Sequence, residues 1–301
     1  MRDLNDRHKT TAAGERIPNM AIREIKPEQI TESVRQMVIE ANTDIGKDIR
    51  EAFQKAKQTE KSPLALSIIE QIVENADIAA REKMPYCQDT GFACFLVEVG
   101  QDAHVTGGLL DEAINEGVRR GYKEGYLRAS IYGDPIERKN TKDNTPAHIH
   151  TEIVPGDRIH IKFSAKGGGS ENMSQLKMLK PSDGLEGVKE FVIKVASEAG
   201  PNACPPLIVC VGIGGTFDRA AFLAKKGIFR EAGKPNPNPF YANLEQELLG
   251  KINALGIGPQ GLGGLTTALA VHVEAYPCHI ASLPVAVNIQ CHAHRHREVT
   301  L

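Results

Sequence analysis

The chain has 301 residues, 36 Lys plus Arg against 38 Asp plus Glu, and a formal net charge of −2. That length allows one large domain or two modest ones. A composition of 41% hydrophobic and 25% charged residues excludes a disordered, collagen-like or coiled-coil chain. The balanced charge gives no bulk signal for nucleic acid. No apolar run approaches the roughly 18 residues of a membrane span, and the N-terminus lacks the apolar segment of a secretory signal. The expectation is a cytoplasmic protein with no nucleic-acid and no membrane partner.

Residues 1–19 are polar and aperiodic, and Met20 followed by AIREIKPEQITESV reads as a natural start. The expected organisation is a leader or upstream extension over 1–19 and one folded domain over 20–301, helical over about 20–83. Ile30, Val34, Met37, Val38 and Ala41 recur as one amphipathic stripe. Thr31 or Pro27 opens that helix, and Ser62-Pro63 reads as the cap and first residue of another. ACFLVEV at 93–99 is a short strand, and helix returns over 107–122. His148–Val154 and Arg158–Ser164 alternate around Pro155-Gly156-Asp157, which predicts a hairpin. Further helices are expected over 185–199, 218–229 and 243–253, and strands over 207–213 and 285–289. Gly233–Phe240 is a proline-rich crossing. The interleaving gives a mixed α and β (α+β) class: a helical N-terminal layer, then an α/β region with short mixed sheets.

Six cysteines, at 87, 94, 204, 210, 278 and 291, are too widely spaced for a small stapled fold. Cys87-Gln88-Asp89-Thr90-Gly91 places a thiol beside amide, carboxylate and hydroxyl groups at a strand entrance. In Cys204-Pro205-Pro206 the prolines stiffen the backbone behind a thiol. Cys210, inside an apolar run, reads as packing, and Cys278 as packing beside His279. Lys166-Gly167-Gly168-Gly169-Ser170 offers backbone N–H groups to an anion. Arg128 and the cations of 138–142 stand upstream. Gly212–Thr216 lacks the spacing of a phosphate loop. His292, His294 and His296 fit one face of an extended segment as zinc ligands, but read better as a solvated polar tail. Three cysteine segments, a glycine turn and guanidinium groups together point to a metal centre handling a small anion. Three thiolates suit an iron–sulfur cluster with one open iron acting as Lewis acid.

At this point the sequence resembles a known family: the alpha subunit, or N-terminal half, of class I iron–sulfur fumarate hydratases and the related L-tartrate dehydratases. The resemblance runs from about residue 25 to 297. CQDTG at 87–91, RKNTKDNTP at 138–146, KGGGSEN at 166–172 and ACPP at 203–206 carry it, with GIGGT at 212–216, LGIGPQGLGG at 255–264 and HIASLPVAVNIQCHAHR at 279–295. It implies a hydro-lyase alpha-type catalytic domain holding a [4Fe–4S] cluster on Cys87, Cys204 and Cys291. By the same resemblance, Asp89 and His279 serve proton transfer at the substrate hydroxyl. Gln88, Arg128 and Gly167, Gly168 and Gly169 grip the carboxylates of a small dicarboxylate. It also implies a separate beta subunit completing the site, in a hetero-oligomer. KGGGSEN and HIASLPV look closer to the fumarase pattern, which makes reversible hydration of fumarate to L-malate the expected reaction. The alternatives are an L-tartrate dehydratase alpha subunit and, from another class, a non-catalytic metal-binding or scaffold subunit.

Overall fold

The computed structural model describes residues 22–301, so the expected leader over 1–19 and the Met20 start lie outside the described residues. A short strand, β1 (Arg23–Ile25), precedes three helices: α1 (Pro27–Thr43), α2 (Lys47–Thr59) and α3 (Pro63–Glu82). The stripe Ile30, Val34, Met37, Val38 and Ala41 is the buried face of α1. Ser62 caps α3, its hydroxyl accepting from the Ala65 N–H at 3.3 Å, with Pro63 in the first turn. Thr31 is not a cap. It lies inside α1 and its hydroxyl donates to the Ala113 carbonyl at 3.0 Å, while Pro27 opens the helix.

Two four-stranded mixed sheets follow. The first holds β2 (Phe92–Gly100), β4 (His148–Val154), β5 (Ile159–Lys166) and β10 (Arg295–Thr300), in the order β10-β5-β2-β4. The second holds β6 (Gln175–Leu179), β7 (Leu207–Gly214), β8 (Ala268–Tyr276) and β9 (Leu283–Gln290), in the order β6-β9-β7-β8. Strand β3 (Ala103–Val105) pairs with β1. The other helices are α4 (Leu110–Glu124), α5 (Gly168–Glu171), α6 (Gly184–Ala199), α7 (Phe217–Lys226) and α8 (Pro239–Asn253). The fold is thus mixed α and β, with a helical N-terminal layer and short mixed sheets.

The expected hairpin does not form. Both strands exist, but β2 lies between them, parallel to β4 and antiparallel to β5. The reason is that β2 is apolar on both faces. Phe95 and Val97 face α1 and α4, while Cys94 and Leu96 face the gap between the sheets. Such a strand must be central, and the two half-polar strands flank it.

The second sheet repeats this logic. Leu207, Val209 and Val211 of β7 pack under α6 and α8, whereas Ile208 and Cys210 face the inter-sheet gap with α2 and α3. The layers therefore run α1 and α4, first sheet, inner core, second sheet, α6 and α8. The proline-rich stretch over 233–240 is a tight entry to α8, with Asn238 accepting from the Phe240 N–H at 2.9 Å.

The histidine-rich end is not a solvated tail. It contains β10, which pairs with β5 from Arg295↔Ala165 to Thr300↔His160. His294 and Arg295 are buried because this strand covers the open edge of the first sheet against α1 and α2.

Candidate functional site

Four loops converge on one end of both sheets: 87–91 before β2, 167–171 after β5, 202–206 before β7, and 291–294 between β9 and β10. Antiparallel pairing causes this, because β7 and β2 start where β9 and β5 end. Direct bonds tie the loops together. The Gly168 N–H donates to Asp89 Oδ2 and the Gly91 N–H to Asp89 Oδ1, both at 2.9 Å. The His292 N–H donates to the Cys204 carbonyl at 3.2 Å. Gly91 has φ +71°, and a Cβ there would meet the Lys166 backbone at 2.7 Å, so glycine allows the two loops to touch.

Each cysteine of this end is held by its flanks. Tyr86, before Cys87, is buried and donates its N–H to the Asn42 carbonyl at 2.8 Å, while its own carbonyl accepts from Asn75 at 2.9 Å. Cys204 takes a left-handed backbone, φ 52° and ψ 67°. Pro205 behind it accepts from both the Gln260 N–H (2.8 Å) and its side-chain amide (2.9 Å). Cys291 follows Gln290, whose amide reaches Ala165 and His294.

All six cysteines are free. Burial pushes the Cys204 thiol up, and the neighbouring Cys291, Cys87 and Asp89 push it further. Burial also raises the Cys291 thiol, with Arg295 and Lys166 pulling the other way. Among the described residues, no three His, Cys, Asp or Glu are gathered closely enough to hold a single metal ion. Cys87 and Cys291 both act on the Cys204 thiol, so the three thiols belong to one site.

The other expected residues fall into two groups. Gln88 is exposed and accepts from the Cys87 thiol at 3.3 Å. Thr90 clamps the Arg128 backbone, its hydroxyl donating to the Arg128 carbonyl and accepting the Arg128 N–H, each at 3.0 Å. The Arg128 side chain is left exposed beside this end. Gly167 is buried, Gly168 is half-buried and occupied by Asp89, and Gly169 is exposed.

His279 is elsewhere. It sits in the exposed turn between β8 and β9, at the opposite end of the second sheet. It rims a groove of about 390 Å³ with Leu185, Phe240, Tyr241, Cys278 and Ile280. An eight-residue strand spans about 25 Å, so this chain does not bring His279 to Asp89.

Cys94 and Cys210 are buried, and burial drives their thiols up to about 11 and about 12. Cys278 does not pack as expected. It is exposed, its thiol donating to the Ser282 carbonyl at 3.3 Å.

Sequence reasoning missed Gln260, which braces the Cys204 loop from the segment over 255–264. The signal was Gly261. Its φ is +75°, and a Cβ there would strike Pro201 Cβ at 2.4 Å, so glycine marks where this segment presses on the cysteine loop. Asn144 was also missed. It is fully buried, accepts from the Ser130 N–H at 2.7 Å and donates to the Gly91 carbonyl at 3.2 Å.

Comparison with known proteins gives the class of this chain. The fumarate hydratase (Fumerase) family model matches residues 31–300. The chain belongs to that family. It is 42% identical over 273 residues to a Methanocaldococcus jannaschii protein provisionally named L(+)-tartrate dehydratase subunit alpha, covering 89% of this chain and 95% of that one. It is 35% and 34% identical over 271 residues to the L(+)-tartrate dehydratase subunits alpha of Escherichia coli strains UTI89 and K12, covering 89% of each chain. Among the described residues, no helix is long and apolar enough to cross a membrane.

Proposed function

We propose that this chain is the alpha subunit of an iron–sulfur hydro-lyase acting on a four-carbon hydroxydicarboxylate, with L-tartrate the favoured substrate. The carrying observation is the convergence of Cys87, Cys204 and Cys291 on one sheet end, beside Asp89 and the glycine turn. The donor set supports a [4Fe–4S] cluster: three free thiols on loops that meet at one sheet end. When bound, the open iron of such a cluster supplies Lewis acidity that makes hydroxide a better leaving group.

The chain's own residues carry the rest. Asp89, fixed by two backbone N–H groups, presents its carboxylate to accept or return a proton at the substrate hydroxyl. Arg128 meets a substrate carboxylate with a forked guanidinium, positioned by the Thr90 clamp. Gln88 and the exposed Gly169 backbone add polar contacts at the same rim. A role for His279 at this substrate requires a second chain, because its own cysteines lie a full strand away.

The names of the relatives support tartrate and a separate beta subunit completing the site. They favour the alternative over the fumarate reaction that the KGGGSEN and HIASLPV segments pointed to. Fumarate and L-malate remain the second reading, favoured by the family model. Both substrates are four-carbon dicarboxylates, and a single hydroxyl partner discriminates between such pairs strongly. The test is the initial rate on L-tartrate and on L-malate with the cluster-loaded chain and its beta subunit. Faster turnover of tartrate is expected. Faster turnover of malate selects the second reading, and turnover of neither sinks both.

A further inference from the structure

Two buried cations near Cys291 are unused by the proposed reading. Lys166, the last residue of β5, is fully buried. Its ammonium donates to Ser170 Oγ at 2.8 Å and lies 3.2 Å from Glu171 Oε2. That carboxylate is shared, because Lys225 contacts both of its oxygens at 2.6 Å. The remaining partners, Ser170, Asn288 and Gln290, are neutral. Two positive charges thus face one negative charge. Burial pulls the Lys166 ammonium down to about 8, still protonated at neutral pH. Burial opposes the charge on Glu171, but Lys166 and Lys225 hold its carboxyl at about 2.

Arg295 is 1% exposed and stands at the same end of the first sheet, paired in register with Ala165. Its guanidinium donates only to neutral oxygens, the Ala293 carbonyl at 3.1 Å and Asn42 Oδ1 at 3.0 Å. Among the described residues it forms no ion pair with a carboxylate. A buried charge is costly without a counter-ion, so the surplus positive charge at this end calls for an anion. Arg295 and Lys166 are the two cations that favour the charged form of the Cys291 thiol.

We propose that Lys166 and Arg295 are the buried counter-cations of the cysteine site, positioning residues that retain its anionic iron–sulfur cluster and raise its reduction potential. This rests on the cluster reading above. Three thiolates outweigh a dipositive cubane core, so the bound group is an anion beside unspent positive charge. Lys166 also locks the glycine turn from inside, since Ser170 Oγ in turn reaches the Gly167 carbonyl at 3.1 Å. The turn then holds Asp89 through Gly168.

The full chain, loaded anaerobically with iron and sulfide, tests this through the cluster's midpoint potential and the rate of iron loss to a chelator. K166M takes the lysine–glutamate group from a surplus of one positive charge to none, and E171Q takes it to two. K166M and R295M are expected to lower the midpoint and speed iron loss about 10–100-fold, the usual range for a lost outer-shell partner. E171Q is expected to raise the midpoint. Opposite signs for K166M and E171Q are the signature of charge, which a purely structural role would not produce. Equal midpoints with differences confined to melting temperature, or midpoint shifts of one sign in K166M and E171Q, overturn the proposal. If K166M does not fold, E171Q alone decides by its sign. A wild-type chain that takes up no cluster instead sinks the cluster reading, and this proposal with it.

Discussion

The two ends of the second sheet are built from the same strands and look nothing alike. At the end holding Cys204 and Cys291, the loops are cross-bonded, backed by buried Gln290 and Arg295, and held to the first sheet through Lys166 and Ser170. At the other end, His279 lies in an exposed turn, with Ile280 at 90% and Tyr276 at 52% exposure, and the local bonds are those of the turn itself. One end is cross-bonded and buried; the other is apolar surface carrying an exposed histidine. On the proposed function, the contrast teaches that this chain furnishes one side of the reaction site, and that its histidine acts across a chain boundary or not at all.

Removing the cysteines breaks the first end with the largest effect. Cys87→Ser, Cys204→Ser and Cys291→Ser each abolish cluster retention in iron and sulfide analysis, while Cys94→Ala, Cys210→Ala and Cys278→Ala retain it. Equal loss from all six would make the cysteines folding residues instead.

His279→Ala sharpens the second end. Activity of the assembled enzyme falls about 10²–10⁴-fold, the usual worth of a general acid or base, while cluster content and melting temperature of the isolated chain stay unchanged. Unchanged activity of the assembly would remove His279 from the reaction.

A smaller effect reads the buried middle of the second sheet by pH, where His272 pairs in register with Cys210. His272 is 1% exposed, and among the described residues neither ring nitrogen has a partner. Burial drives it down to about 3 from its ordinary 6.5. The unfolded chain binds this proton below about pH 6.5 and the folded chain does not until about pH 3. Stability therefore falls as pH drops through that window, by up to about 1.4 kcal/mol per pH unit for this group. Burial also lowers the neighbouring His294, which adds to the slope. Asp48, which burial opposes but His296 holds at about 2, contributes only below its ordinary 3.8. His272→Leu flattens the limb between pH 6.5 and 4 in denaturant titrations. An unchanged slope would show that the charge of His272 is not what acid attacks.

The helices and most strands were legible because their apolar spacing is local: the stripe of α1, the Ser62-Pro63 start of α3 and the continuous run of β2 each declare themselves. The pairing of β4 and β5 was misread because a short turn between alternating strands says nothing about a third strand that needs both flanks. β10 was misread because the polar residues of HAHRHR are buried by partners far away in sequence, Asn42 and Asp48. The cysteine, Asp89 and glycine segments stood out as motifs, and the fold brings them together. His279 stood out equally, and nothing in the sequence says which end of a sheet a motif occupies. Lys166 and Arg295 were invisible as a pair, since each reads as an ordinary surface cation until burial is known.

The central claim is that the cysteine end of this chain alone holds the cluster. Anaerobic reconstitution of the isolated full-length chain, followed by iron and acid-labile sulfide analysis, tests it most directly. About four irons and about four sulfides per chain are expected, falling to background in Cys291→Ser. Less than one iron per chain, or the same content in Cys291→Ser, would contradict it.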